Sequence, residues 1–173
     1  MTTPLVVLVG PPGSGKSTVG RALAERLGVG FRDTDADIEQ LAGKPIPEIF
    51  IDDGEPHFRE LEASAVRAAT GTHDGVLALG GGAVMAEATR ALLHELPVVF
   101  LEVPLADAVK RVGLDAPRPL LAVNPRARWR ELMEARRPLY LEVATAVVDT
   151  AGRTPGQVAD AVLEALELKT PHE

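Results

Sequence analysis

Cysteine is missing from all 173 residues, which excludes disulfides and thiolate zinc sites and fits a reducing cytosol, the compartment expected here. Positive charge is scarce as well: 18 lysines and arginines stand against 25 aspartates and glutamates, for a net charge of −7. That balance cannot supply the broad cationic face that tracks a nucleic-acid backbone. No nucleic-acid partner is therefore expected, and any anionic ligand must meet basic residues concentrated locally. Long apolar runs are lacking too. The run from Leu5 to Val9 has no basic stretch before it, and none elsewhere approaches the roughly 18 residues of a membrane span. Neither a secretory leader nor a membrane partner is expected. Repeats and low-complexity tracts are also absent, and 46% hydrophobic composition at this length suits one substantial core, hence one domain over residues 1–173 acting as a monomer.

What is present alternates. Short apolar runs at 5–9, 29–33, 76–79, 98–103 and 144–149 read as strands, and their continuity points to burial on both faces. Between them lie segments of helical period. One starts at Lys16, with Val19, Ala22, Leu23 and Leu27 on one face and Gly28 as its stop. Others carry Phe58, Leu61, Ala65 and Val66; residues 88–96; residues 105–112; Trp129, Leu132, Met133 and Tyr140; and Val158, Val162 and Leu166. The expected fold is a three-layer α/β/α sandwich around a five-stranded parallel sheet. Residues 113–125 hold three prolines, a glycine and an Asn-Pro, too many breakers for a regular element, and are expected to form a loop that acts as a mobile lid.

Gly10-Pro-Pro-Gly-Ser-Gly-Lys16-Ser17 matches the phosphate-binding pattern GxxxxGK[ST] and sits between a strand and a helix. Backbone N–H groups of Gly13, Ser14, Gly15, Lys16, Ser17 and Thr18 are expected to turn toward phosphates at the helix N-terminus. Lys16 would reach the β- and γ-phosphates of ATP, and Ser17 would hold Mg²⁺. Asp33-Thr34-Asp35 ends the second strand. If the chain stays extended there, both carboxylates lie on one side, one for the metal and one for an acceptor hydroxyl. The alternative is that one of them only caps the next helix.

Taken together, GPPGSGKST at 10–18, DTD at 33–35, GExxFRxxE over 54–62, LGGGAV at 79–84, RPLL at 118–121 and RRPLY at 136–140 make the chain resemble the shikimate kinase family nearly end to end. The resemblance implies a P-loop NTPase of the nucleoside-monophosphate-kinase-like type, with a substrate-binding region at about 35–62 and a lid at about 113–125. It implies Mg²⁺-dependent transfer from ATP to the 3-hydroxyl of shikimate, in aromatic amino-acid biosynthesis. Arg59 and Arg136 would grip the shikimate carboxylate, guanidinium being well shaped for it. Asp35 would accept from the hydroxyls, Gly80, Gly81 and Gly82 would let the ring approach the backbone, and Asp33 would serve the metal. Arg118 would neutralise the transferring phosphoryl group, so Lys16, Asp35 and Arg118 form the implied catalytic set. Arg111, Arg118, Arg153 and Pro155 would complete the nucleotide site. Without an apolar strand ending in the Asp of a Walker B motif, the chain offers Glu102 at that place. A gluconate kinase on the same scaffold and a non-catalytic nucleotide switch are the alternatives.

Overall fold

A computed structural model describes residues 2–104, 107 and 125–170. The expected helix at 105–112 and the lid at 113–125, with Arg111 and Arg118, lie outside the described residues apart from Asp107 and Pro125.

Strands β1 (Val6–Val9), β2 (Phe31–Asp33), β3 (Val76–Ala78), β4 (Val98–Glu102) and β5 (Ala146–Asp149) form one parallel sheet in the order β2-β3-β1-β4-β5. Period-2 alternation in β1 explains why the run is apolar throughout. Val6 and Leu8 face Val19 and Leu23 of α1 (Lys16–Leu27) together with Val158 and Val162 of the C-terminal helix. Val7 and Val9 face the other way, toward Val66, Leu93 and Tyr140. Those three lie on α4 (Glu55–Thr72), α5 (Glu87–Leu93) and α6 (Pro125–Val143). Each fully buried side chain of this kind is worth about 1.5–3 kcal/mol of transfer energy, so a polar residue at any β1 position would be costly. The C-terminal helix, α7 (Pro155–Ala165), starts on a capping box in which Thr154 and Gln157 bond reciprocally.

Two helices that periodicity did not reveal, α2 (Thr34–Ala42) and α3 (Ile46–Asp53), pack with α4 on a small core of Ile38, Ile49, Phe58 and Ala65. This third core sits beyond β2 and β3. Register then fixes where the site lies: Asp33 pairs with Ala78, and Ala78 pairs with Leu8, so β2, β3 and β1 end level with one another. The chain passes from β3 on one side of β1 to β4 on the other, which opens a crevice at the carboxyl end of β1.

Candidate active site

Gly10 to Lys16 fill that crevice. Gly15, at φ 87°, caps α1 in a left-handed conformation that an L side chain would strain, and this turns the following N–H groups outward. Lys16 Nζ donates to the carbonyl oxygens of Gly10 at 2.7 Å and Pro11 at 3.1 Å, so its ammonium lies across the mouth of the loop. A cavity of about 400 Å³ opens there, lined by Gly13, Lys16, Ser17, Asp33, Asp35 and Gly81 among others. A second cavity, of about 320 Å³, shares Gly15 and Thr18 with the first and extends to Ser14, Thr150, Arg153 and Pro155. The two cavities thus meet at the glycine-rich loop. Of the residues expected to complete the nucleotide site, Arg153 and Pro155 line the second.

The two-residue alternation expected at Asp33-Thr34-Asp35 is corrected here, because the strand stops at Asp33 and Asp35 already belongs to α2. The capping alternative holds for Asp33, and its other oxygen reaches the phosphate-loop serine. Its Oδ1 accepts the Asp35 N–H at 2.9 Å as a helix cap, while its Oδ2 accepts the Ser17 hydroxyl at 2.8 Å. The cap turns the Asp35 carboxyl into the crevice, where burial first, then the charges of Asp33 and Glu62, push its pKa up to about 6, against the pull of Lys16.

Glycines 80–82 leave β3 on the same rim and touch every wall of the site. A methyl carbon added at Gly80 would come within 2.5 Å of Asp35 Oδ1, and one at Gly81 within 2.8 Å of Pro12. One at Gly82 would overlap the guanidinium of Arg59. Gly82 itself has an ordinary φ of −101°. Its replacement by Ala should therefore leave the fold intact and displace only the Arg59 head group, which is the end of a flexible side chain. The expected result for Gly82→Ala is a rise of roughly tenfold or more in the acceptor KM at unchanged KM for ATP. Steady-state kinetics with each substrate varied in turn checks it.

Arg59 and Arg136 stand apart from the other cations. Arg136 is 4% exposed, and the Nε atoms of both are buried without a hydrogen-bond partner among the described residues. An unsatisfied buried donor costs about 1–3 kcal/mol, a cost that a carboxylate accepting from both groups would remove. Between them sits Glu62, 4% exposed, which accepts from Arg59 Nη1 at 2.8 Å. Burial raises the Glu62 pKa, while the charges of Arg59 and Arg136 oppose the rise. Arg137, next to Arg136 in the chain, has a different setting. Arg137 points to the opposite side and clamps Glu102 at 2.7 Å, so the residue at the Walker B place is engaged in an ion pair.

A family model for shikimate kinase matches residues 12–167. The chain belongs to the shikimate kinase family. It is 63% identical over 169 residues to a shikimate kinase of Streptomyces coelicolor, covering 98% of this chain and 99% of that one. Among solved structures, a shikimate kinase from Acinetobacter baumannii in complex with shikimate superposes with a TM-score of 0.91 at 39% identity, covering 96% of this chain and 94% of that one. A gluconokinase from Sinorhizobium meliloti reaches a TM-score of 0.59 at 23% identity, covering 95% of this chain and 92% of that one, and so shares the fold alone.

The sequence points to Glu62, with Phe50 and Phe58, only as a support or lining of the pocket, and gives the Tyr140 hydroxyl no role. Glu62 had a usable signal, since its spacing of three from Arg59 on a helix makes the two side chains neighbours. Tyr140 looked like one more apolar position in a helical stripe.

Proposed function

We propose that this chain is a shikimate kinase that moves the γ-phosphoryl group of ATP to the 3-hydroxyl of shikimate, releasing ADP and shikimate 3-phosphate for aromatic amino-acid biosynthesis. The observation that carries the reading is the pair formed by half-buried Arg59 and buried Arg136, whose Nε atoms are buried without a hydrogen-bond partner among the described residues. Arg59 Nε has only Glu55 at 3.5 Å as an ion-pair neighbour among those residues, and Gly80–Gly82 and Asp35 lie between the pair and the phosphate loop. A hydroxylated carboxylate satisfies those donors at one end and presents a hydroxyl at the other. The acceptor oxygen forms the new P–O bond as the bond from the γ-phosphorus to the β-phosphate oxygen breaks. The hydroxyl proton leaves toward Asp35.

Lys16 and the N–H groups of Gly13 to Thr18 hold the phosphates, and Arg153 and Pro155 flank the adenine. By the family pattern Arg111 joins the nucleotide site, and Arg118 faces the transferring group. Mg²⁺ takes few protein ligands beside phosphates and water, and the hydrogen-bonded pair of Ser17 and Asp33 fits that need. When bound, the ion spreads the charge of the β- and γ-phosphates. On this reading the enzyme works as a monomer on small molecules, without nucleic-acid or membrane partners. No described helix is long and apolar enough to cross a membrane, and with the lack of cysteine this supports a cytosolic place.

An ADP-release assay with shikimate, gluconate and a nucleoside monophosphate as acceptors tests the reading. Shikimate should lead in kcat/KM by roughly a hundredfold or more, since a site built to bond polar groups rejects ligands that leave them unpaired. Gluconate or a nucleotide in the lead would overturn it.

A further inference from the structure

Tyr140 is the largest fully buried side chain among the described residues, and its ring stacks on Phe100 of β4 with centroids 5.0 Å apart. Packing alone would be served as well by phenylalanine, without the cost of burying a hydroxyl. That hydroxyl has work on two sides. It donates to the carbonyl oxygen of Gly81 at 2.5 Å, and the guanidinium of Arg136, one turn earlier on α6, lies near enough to pull the phenol pKa down against burial. Burial pushes the phenol up to about 12, so it remains a neutral donor at working pH.

These contacts join β3, which delivers the glycine loop, to α6, which delivers Arg136. The sheet contributes the fixed reference, because Phe100 is itself fully buried at the centre of β4. We propose that Tyr140 is a positioning residue for the acceptor, its hydroxyl setting the spacing between the Gly81 backbone and the Arg136 guanidinium. The proposal rests on the reading that both belong to the shikimate site. Without the hydroxyl the Arg136 head group loses a partner that fixes its rotamer, and the glycine loop loses its anchor from below. The phosphate loop is held by other contacts, so nucleotide binding should not register the change.

Tyr140→Phe is the direct test, with Val143→Ala as its control, since Val143 is buried in the same cluster and touches neither partner by a polar bond. The expected result for Tyr140→Phe is a KM for shikimate raised about tenfold, with the KM for ATP unchanged and kcat within about twofold. Val143→Ala should lower the melting temperature and leave both KM values in place. An unchanged shikimate KM in Tyr140→Phe, or an equal rise in Val143→Ala, would overturn the proposal. Arg136→Ala separates the two levels. If it raises the shikimate KM while Tyr140→Phe does not, only the role of Tyr140 fails. If it leaves the shikimate KM unchanged, the acceptor-site reading fails with it. Because Tyr140 is the only tyrosine in the chain, 3-fluorotyrosine incorporation also gives a single fluorine resonance. Saturating shikimate should shift that resonance, and a resonance indifferent to shikimate would count against the proposal.

Discussion

Replacing Asp35 with Asn should cost activity and add stability at the same time. As the group that receives the hydroxyl proton, its loss is expected to lower kcat by about 10²–10⁴-fold. The stability gain follows from the raised pKa. Unfolded, the carboxyl titrates near its ordinary value of 3.8, whereas folded it keeps its proton up to about 6. Below the lower value both states are protonated and the group contributes nothing. Between the two the folded state binds the extra proton, so stability falls as pH rises, and above 6 the whole penalty is in place. A shift of that size corresponds to about 2–3 kcal/mol. Asp35→Asn should therefore melt roughly 5 °C higher than the parent at pH 7 and at nearly the same temperature at pH 4. The parent enzyme's kcat/KM should decline as pH drops through about 6, because the protonated carboxyl cannot accept. Thermal melts across pH, paired with a pH–rate profile, decide it. A variant with full kcat would leave Asp35 only an orienting role, and a variant no more stable at pH 7 would remove the buried-charge argument.

Lys16→Met should show the opposite pattern, with a large kinetic loss and little change in folding. The ammonium bonds carbonyl oxygens of its own loop, Gly10 and Pro11, at positions where an ATP phosphate would compete for it. Removing a charge that meets the transferring group is expected to lower turnover by about 10³-fold. The melting temperature should stay within about 3 °C, since the site is partly exposed and the loop backbone remains. Shikimate affinity, measured by titration, should be retained. More than a tenth of the parent turnover in the variant would remove Lys16 from the catalytic set.

Strands β1, β3 and β4 were readable because each is an apolar run buried on both faces, whereas the expected two-sided burial fails at the sheet's edges: β2 ends in Arg32 and Asp33, only partly buried, and β5 leaves Val147 44% exposed. The phosphate loop was readable because its glycines answer a backbone requirement that no other residue meets as easily. The region after β2 was not. Helix α3 carries Ile51 at 79% exposure, and α2 carries Leu41 at 69%, so their hydrophobic residues do not trace one face. Period therefore gave no sign of either helix, and resemblance alone marked the segment. The DTD turn was half legible. Its composition announced carboxylates beside the cradle, but the strand ends one residue too early for alternation to orient them, and the cap at Asp33 does so instead. Resemblance picked Arg136 over Arg137, and three dimensions show what Arg137 does instead. Adjacent helix positions point about 100° apart, and only the partner of Arg137, Glu102, shows which one is spent on structure.

The separate core beneath α2, α3 and α4 has a further consequence. Ile38, Ile49, Phe58 and Ala65 pack with one another rather than into the two cores that flank the sheet, so the helices that carry Asp35 and Arg59 have a small anchor of their own. Residues inside that small core can be exchanged without repacking either face of β1. A scaffold built this way can vary one wall of its crevice while the sheet and the cores on its two faces stay as they are.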